Sequence, residues 1–551
     1  MYPVFGGAKS IEVSLMSWMM PYRNLNRGCN MQIVLELPED ASAADRARLH
    51  YAFRLFCAIY GHQPITEYAK VTNHDVTLRY VNPGDSSCPA KERRIVWMSR
   101  GYKARDPRRP APPPFQYVSQ ENCTLLHYAP TGECTPDWLG EIFEWVSCAD
   151  EYSVTERDLV GRPLFAATYA GRHHLDTTIP YAAIAMQGLQ RAICSVVPRA
   201  SEDPGSPCRK AHLVVPTHDV DYFPAGRWHA ANRLIRNAAI SFAMNHLPAL
   251  GVRQAGMALS VAIGWTPDPL DQIARLARGE RRRGIRATYN FLTRHGHRLD
   301  AHYSLDHSGV VKTMRWLESQ NMEIGIHGSY MCLDQPDGLA RELSHFHARG
   351  FFPRGGRQHW LRYTLDRLIP AVEHAGLTYD TSLGWSAAIG FRAGASFPFP
   401  PYNFAEERAA TFLEIPMVMM DQAFQAQHDN PEAWLSKADD LLAKSRRAGW
   451  GGISLLWHPT AFGEGWLPSN VGDIYWRVAD RRAECGDAWM SAEDLVETVR
   501  QRYINVGLLP EVEAVTADVM AIEERVGAGV EVEIGGLHEP GLKPPSGLFG
   551  T

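Results

Sequence analysis

No uncharged apolar run in the 551-residue chain reaches the roughly 18 residues that a membrane-crossing helix needs. The nearest approach, residues 238–265, is interrupted by Asn245, His246 and Arg253, which leaves a peripheral membrane contact as the most that stretch can offer. The opening residues, MYPVFGGAKSIEVSLMSWMMPY, lack the basic start, unbroken apolar core and small-residue cleavage site of a secretory signal, so a cytoplasmic location is expected. An excess of one charge is missing too. Against 61 Asp and Glu stand 56 Lys and Arg, and the formal charge of -5 provides no global field for nucleic acid or an anionic membrane. The one basic cluster, residues 281–286, ends a predicted helix and reads as a solvated face. Among the ten cysteines there is no CxxC pair and no zinc-finger spacing, and free thiols are expected.

What is present is an ordinary globular composition, 45% hydrophobic and 21% charged, long enough for ample core and more than one domain. Cysteines concentrate before Cys208, and the Pro-, Ser- and Gly-rich segment SEDPGSPCRK marks a boundary there. Residues 1–205 mix strand-like pieces (MQIVLELP, DVTLRYV, RRIVWMS) with helical ones (ADRARLHYAFRLFCAIYG, DWLGEIFEWVSCADEY) and a Pro-rich loop, DPRRPAPPPF. They are expected to form an α+β domain without a catalytic motif of its own. In residues 206–506 strand-like runs alternate with helical segments, among them PLDQIARLARGERRRG, DGLARELSHFHARG, LRYTLDRLIPAVEHAG and SAEDLVETVRQRY. Asp337 and Ser491 stand at N-cap positions and Gly350 at a helix end. Such alternation implies parallel strands with crossover helices. About seven strands, and no phosphate-binding glycine fingerprint after the first, predict a distorted (β/α) barrel rather than a dinucleotide-binding sheet. The tail, residues 507–551, ends in EVEIGGLHEPGLKPPSGLFG and is expected to be irregular.

The most telling stretch is HLVVPTHDVDYF at residues 212–223, an apolar strand that ends in two acids two residues apart. Strand side chains alternate, so Thr217, Asp219 and Asp221 project to one face. Desolvating two carboxylates together is costly without a cation or a proton between them, which points to a metal or acid/base site. The competing reading is a solvated turn after an edge strand. Later histidines bear on the choice: His327 and His458 end the strand-like runs MEIGIHGSY and GGISLLWHP, and His359 lies in RGGRQHWLRY. His218 should face the opposite side, as a hydrogen-bonded core residue.

THDVD, IHGSY, RQHW, YDTSL and LLWHP, in that order at strand ends over residues 211–501, resemble the polysaccharide deacetylase family of metal-dependent carbohydrate esterases. The resemblance implies a distorted (β/α) barrel, with Asp219 matching the family's catalytic base and Asp221 its metal-binding acid. The family usually has these acids adjacent, and Val220 separates them here. His327 matches the first metal histidine, Arg357 the arginine that holds the base, His458 the catalytic histidine and Asp380 the acid that orients it. The family's second metal histidine falls at Met331, and a thioether is a poor zinc ligand beside imidazole. Either His359, two residues beyond Arg357, completes the site, or the site has lost its metal.

By this resemblance a divalent metal, zinc by its mixed His and Asp ligands, activates a water that attacks an N-acetyl carbonyl on a glycan or glycoconjugate. Asp219 takes the water's proton and His458 protonates the leaving amine. Tyr330 and Trp385 could stack on sugar rings, and Arg392 in GFRAG could shape the cleft. The alternative is a non-catalytic glycan-binding or scaffold protein on the same barrel, and a metal-dependent amidase for a non-sugar amide is a third reading.

Overall fold

The segment QIVLE begins a four-stranded sheet, and in the computed structural model its strands are β1 (Gln32–Glu36), β2 (Gln63–Ile65), β3 (Val76–Val81) and β4 (Ile95–Ser99). The order is β2-β1-β3-β4 and every pairing is parallel. The structure describes residues 31–65, 74–82, 94–110, 117–118, 124–125, 134–197, 211–243, 247–425, 430–463 and 471–511. The boundary segment SEDPGSPCRK, most of the Pro-rich loop, the first residues and nearly all of the expected irregular tail lie outside them. Helix α1 (Ala43–Tyr60) starts where Ser42 and Asp45 cap each other's backbone N–H reciprocally. It stops at Gly61, whose φ of 74° is readily adopted only without a Cβ. Helices α2 (Trp138–Val146) and α3 (Tyr181–Val196) follow in this part.

The second sheet holds β5 (His212–Val220), β6 (Thr288–Phe291), β7 (Glu323–Gly328), β8 (Gly355–Gln358), β9 (Tyr379–Asp380), β10 (Leu413–Glu414), β11 (Met417–Met420), β12 (Gly451–Leu456) and β13 (Asp487–Trp489). Its order is β10-β9-β8-β7-β6-β5-β12-β11, all parallel, with β13 beside the first half of β5. The two ends of that path, β10 and β11, are two residues apart in one run. The Ile415 N–H donates to the Asp380 carbonyl, and the Pro416 carbonyl accepts from Ser454. One run therefore pairs with both ends of the sheet and closes it. Counted once, it leaves seven strand positions in a distorted barrel, the fold class expected from the alternating pattern. A central strand of a parallel sheet covered on both faces is buried along its whole length, as β5 is.

The expected helices form at Ile273–Arg282 (α6), Gly338–His347 (α8), Leu365–His374 (α9) and Ala492–Asn505 (α12), joined by α7 (Ser308–Ser319), α10 (Pro431–Ala448) and α11 (Val471–Arg481). Between β5 and α6 a hairpin of α4 (Arg227–Ala243) and α5 (Pro248–Ala262) is inserted. Ser491 caps α12 by accepting from the Asp494 N–H, whereas Asp337 makes no side-chain cap. One hydrophobic core runs through both parts up to Leu509. Across it the Tyr51 hydroxyl donates to the Pro400 carbonyl at 2.7 Å, and Arg48 grips Glu407 at 2.6 and 2.9 Å. Among the described cysteines, Cys57, Cys148, Cys332 and Cys485 are free thiols.

Candidate metal centre

Parallel strands of one barrel deliver their C-terminal ends to one rim, and loops there carry sites because backbone and side-chain groups converge without having to complete the sheet. The end of β5 places Thr217, Asp219 and Asp221, that of β7 places His327, β8 ends at Arg357 and Gln358, and His458 follows β12. His359 opens a turn in which Trp360 and Leu361 both take left-handed backbone, φ 63° and 53°. The strand in RGGRQHWLRY thus stops at Gln358. Two consecutive non-glycine residues in that region cost roughly 1–3 kcal/mol each, so the surrounding structure holds this turn against a local preference.

The imidazole Nε2 atoms of His327 and His359 lie 3.3 and 3.6 Å from the same oxygen, Asp221 Oδ1. A tetrahedral ion with ligand bonds of about 2.0–2.1 Å has edges of about 3.3–3.4 Å between ligand atoms. The three ligand atoms all fall within 4.8 Å of one another. Asp221 Oδ1 is buried and has no hydrogen-bond partner, an orphaned acceptor in need of a cation. The far nitrogens are held by second partners: His327 Nδ1 faces the Arg357 carbonyl at 2.9 Å, and His359 Nδ1 faces Asp300 at 3.2 Å. With Nδ1 engaged, each ring presents Nε2 to the centre, the tautomer control typical of metal-binding histidines. The donor set fits a divalent cation. Met331, by contrast, is 45% exposed and outside this cluster.

Asp219 is buried on the flank. Its Oδ1 accepts from Arg357 at 3.0 Å and from the Asn290 amide at 2.8 Å, while Oδ2 lies 3.7 Å from His327 Nε2. Arg357 is fully buried and also donates to Thr217 and to the Thr381 carbonyl, so its position is over-determined. Burial, the largest single influence, would raise the Asp219 pKa, but the positive charges of Arg357, His327 and His458 together outweigh it and hold the group below the ordinary carboxylate range. Burial likewise opposes ionisation of Asp221, and His359 and His327 draw it well below that range.

On the other flank His458 Nε2 lies 3.5 Å from Asp221 Oδ2. Its Nδ1 is 2.9 Å from Asp421, and the same carboxylate accepts the His458 backbone N–H at 3.0 Å. Here the expected arrangement is corrected: Asp421, not Asp380, orients His458. Asp380 ends β9, accepts from the Ser382 N–H and hydroxyl, and is paired with buried Glu414; burial lifts both carboxyls. Asp421 belongs to the closing run, which reaches His458 because β11 is the neighbour of β12. Although burial disfavours its charge, His458 is raised to about 10 by Asp421, Asp221 and Asp219. His359 is raised to about 9 by Asp221 and Asp300 against the same opposition. Each is a proton standing where positive charge is called for.

His218 turns away from the rim, as expected, into a buried contact with Glu280 at 2.7 Å. Of the residues expected at the substrate, Tyr330 borders the centre: its N–H donates to Asp300, and its ring stacks on His297 at 4.4 Å. Trp385 and Arg392 are built differently. Arg392 forms a buried two-point ion pair with Glu151 at 2.6 and 2.7 Å, donates to the Gly384 carbonyl and lies over the Trp385 ring. These donors are committed to the protein rather than aimed at a ligand. A cavity of about 670 Å³, lined by Arg157, Gly161, Asp334, Arg362, Asp366 and Phe404 among others, shares no lining residue with the metal cluster. It adjoins the centre through Arg362, which donates to the Tyr330 carbonyl at 2.7 Å.

Asn290, Asp300 and Asp421 were not singled out from the sequence. Asn290 and Asp421 do carry a signal, each being a polar residue at or near the end of an apolar strand, in TYNF and MVMMD. Asp300 lies in a loop and carries none.

Fold and site together define an α/β-barrel protein with an Asp–His–His cluster able to hold a metal at the C-terminal rim. Among solved structures the chain is similar to a "putative polysaccharide deacetylase" from Mycobacterium smegmatis, at 15% identity and a TM-score of 0.34 over 55% of this chain and 94% of that one. No protein-family model and no curated protein matches it.

Proposed function

We propose that the chain is a metal-dependent hydrolase that removes N-acetyl groups from an amino-sugar-containing glycan or glycoconjugate. The observation that carries this reading is the convergence of Asp221, His327 and His359 on a buried, unpartnered carboxylate oxygen, with a base and an acid on either side. A divalent ion held by these three residues, zinc by the donor set, would polarise an amide carbonyl and lower the pKa of a water. Asp219, kept ionised by Arg357 and aimed by Asn290, accepts the proton of the attacking water. His458, oriented by Asp421, gives its proton to the nitrogen of the leaving amino sugar as the C–N bond breaks, leaving acetate and a free amine. The motif order supports an N-acetylated sugar as the substrate class. The adjoining cavity, with Tyr152, Tyr363 and Phe404 in its lining, is of a size to hold further sugar units. The non-catalytic alternative rested on Met331, and it weakens with His359 in the third ligand place.

The test is metal content by elemental analysis for wild type, His359→Ala and Met331→Ala, followed by acetate release from N-acetylglucosamine oligomers. Stoichiometric metal in wild type and Met331→Ala, lost in His359→Ala, is the expected result. Wild-type protein that takes up no metal even when zinc is supplied would leave the barrel as a binding module.

A further inference from the structure

The α4–α5 hairpin is packed inside out. Its helix–helix contact brings small residues together with a few larger ones: Ala230 and Ala258 form a separate buried cluster with Leu234 and Val261, Gly251 sits under one edge of the half-exposed Phe242 ring, and Ser241 donates to Gln254 at 2.8 Å. Most of the large apolar side chains face outward. Of the fifteen large hydrophobic side chains exposed among the described residues, nine fall between Trp228 and Trp265. On α4, Trp228, Ile235 and Phe242 recur at seven-residue spacing and so share one face, with Trp228 63% exposed. On α5, Val252, Leu259 and Ile263 make a second stripe, and Trp265 beyond the helix is 82% exposed. A hairpin adapted to water buries its large apolar groups and shows the small and polar ones. Small residues at the helix contact with bulky ones outside is the arrangement of helices in an apolar medium.

The charge of the same segment selects the medium. From residue 223 to residue 267 there are four arginines and no lysine, aspartate or glutamate, in a chain whose overall charge is -5. Arg227, Arg236 and Arg253 are exposed beside the apolar stripes. No helix among the described residues is long and apolar enough to cross a membrane, so a lipid contact here lies in the plane of the interface. Trp228 and Trp265, both at the base of the hairpin, are of the residue type that sits at that depth.

We propose that the α4–α5 hairpin binds the surface of an anionic lipid bilayer, its apolar stripes entering the acyl boundary and its arginines meeting the lipid phosphates. This goes beyond the hydrolase reading and does not depend on it. The hairpin also bears on the rim. It leaves β5 directly after Asp221, and its base is fastened there by Arg233, which lies 3.6 Å over the Tyr222 ring and 3.5 Å from Asp268, itself the acceptor of the Tyr222 hydroxyl. A chain bound through the hairpin holds the metal centre beside the membrane and suits it to a substrate carried on lipid.

The test is co-sedimentation of the full chain with vesicles of phosphatidylcholine alone or mixed with phosphatidylglycerol. Wild type should bind the mixed vesicles at least tenfold more tightly than the neutral ones, and less tightly as salt rises. Ile235→Ser/Leu259→Ser and Arg236→Glu/Arg253→Glu should each weaken that binding at least tenfold while keeping the wild-type melting temperature and metal content. Wild type that ignores the mixed vesicles, or folded variants that bind as wild type does, would overturn the proposal. So would a wild-type dimer that these substitutions dissolve, because the face would then be covered by a second copy.

Discussion

At the N-terminal ends of the barrel strands His212 lies between Ser445 Oγ at 2.8 Å and Asp487 at 3.0 Å, the same succession of groups as in an acyl-transfer triad. Both Asp487 oxygens are also gripped by Arg446 at 2.7 Å. Nearby Glu323 accepts from the Thr288 and Tyr379 hydroxyls and from the Glu493 N–H. At the C-terminal ends the residue types are the same and the closure is different. Asp221 Oδ1 has no hydrogen-bond partner, and two imidazole nitrogens point at it. Burying a histidine or a carboxylate does not make a site, since the closed groups at the N-terminal end serve stability. What distinguishes the rim is that its polar atoms are aimed at a common point and left for something other than the protein.

This contrast can be broken by substitution. Asp221→Ala removes the shared ligand atom and should reduce bound metal below a tenth of stoichiometric and acetate release to background; retained metal would show that Asp221 is not a ligand. Asp421→Asn should lower kcat by roughly 10²–10³ with metal content unchanged, since His458 loses its orienting acceptor. Asp380→Asn, remote from that histidine, should lower kcat much less. If Asp380→Asn had the larger effect with metal retained, Asp421 would not be the orienting group.

At the closed end the readout is stability. Burial raises Glu323 to about 7 despite its three donors, above the ordinary 4.5 of an unfolded chain. The folded state therefore binds the extra proton between those values, and stability falls as pH rises from 4.5 to 7. Glu323→Gln should remove about 3 kcal/mol of that slope, read from urea unfolding at several pH values. An unchanged slope would mean that another group sets it. The smallest effect is expected of His212→Gln, which weakens the bonds to Ser445 and Asp487 and should cost about 2 kcal/mol while leaving metal content and turnover intact. Loss of turnover in a folded His212→Gln chain would break the distinction between the two ends.

Much of the barrel was legible because it rests on local pattern. Apolar runs that end in Asp or His, alternating with helical periodicity, placed β5, β7 and β12, and the two-residue spacing of Asp219 and Asp221 put both acids on one face. The orienting acid was misplaced because Asp380 and Asp421 are both acids at strand ends. Which one meets His458 depends on the run through β10 and β11 leaving β9 and joining β12, a long-range pairing without a local sequence marker. The hairpin had a partial signal in its near-apolar stretch, but which side of each helix faces its partner is decided by packing.

The sequence by itself determined the alternation of strands and helices, the residue types at the rim and the local excess of arginine, since each follows from neighbours along the chain. Only the tertiary structure decided that His359 joins Asp221 and His327, that Asp421 serves His458 and that Ser445, His212 and Asp487 are closed off. Those outcomes depend on which strands become neighbours when the barrel closes and on which polar atoms are left without a partner inside it.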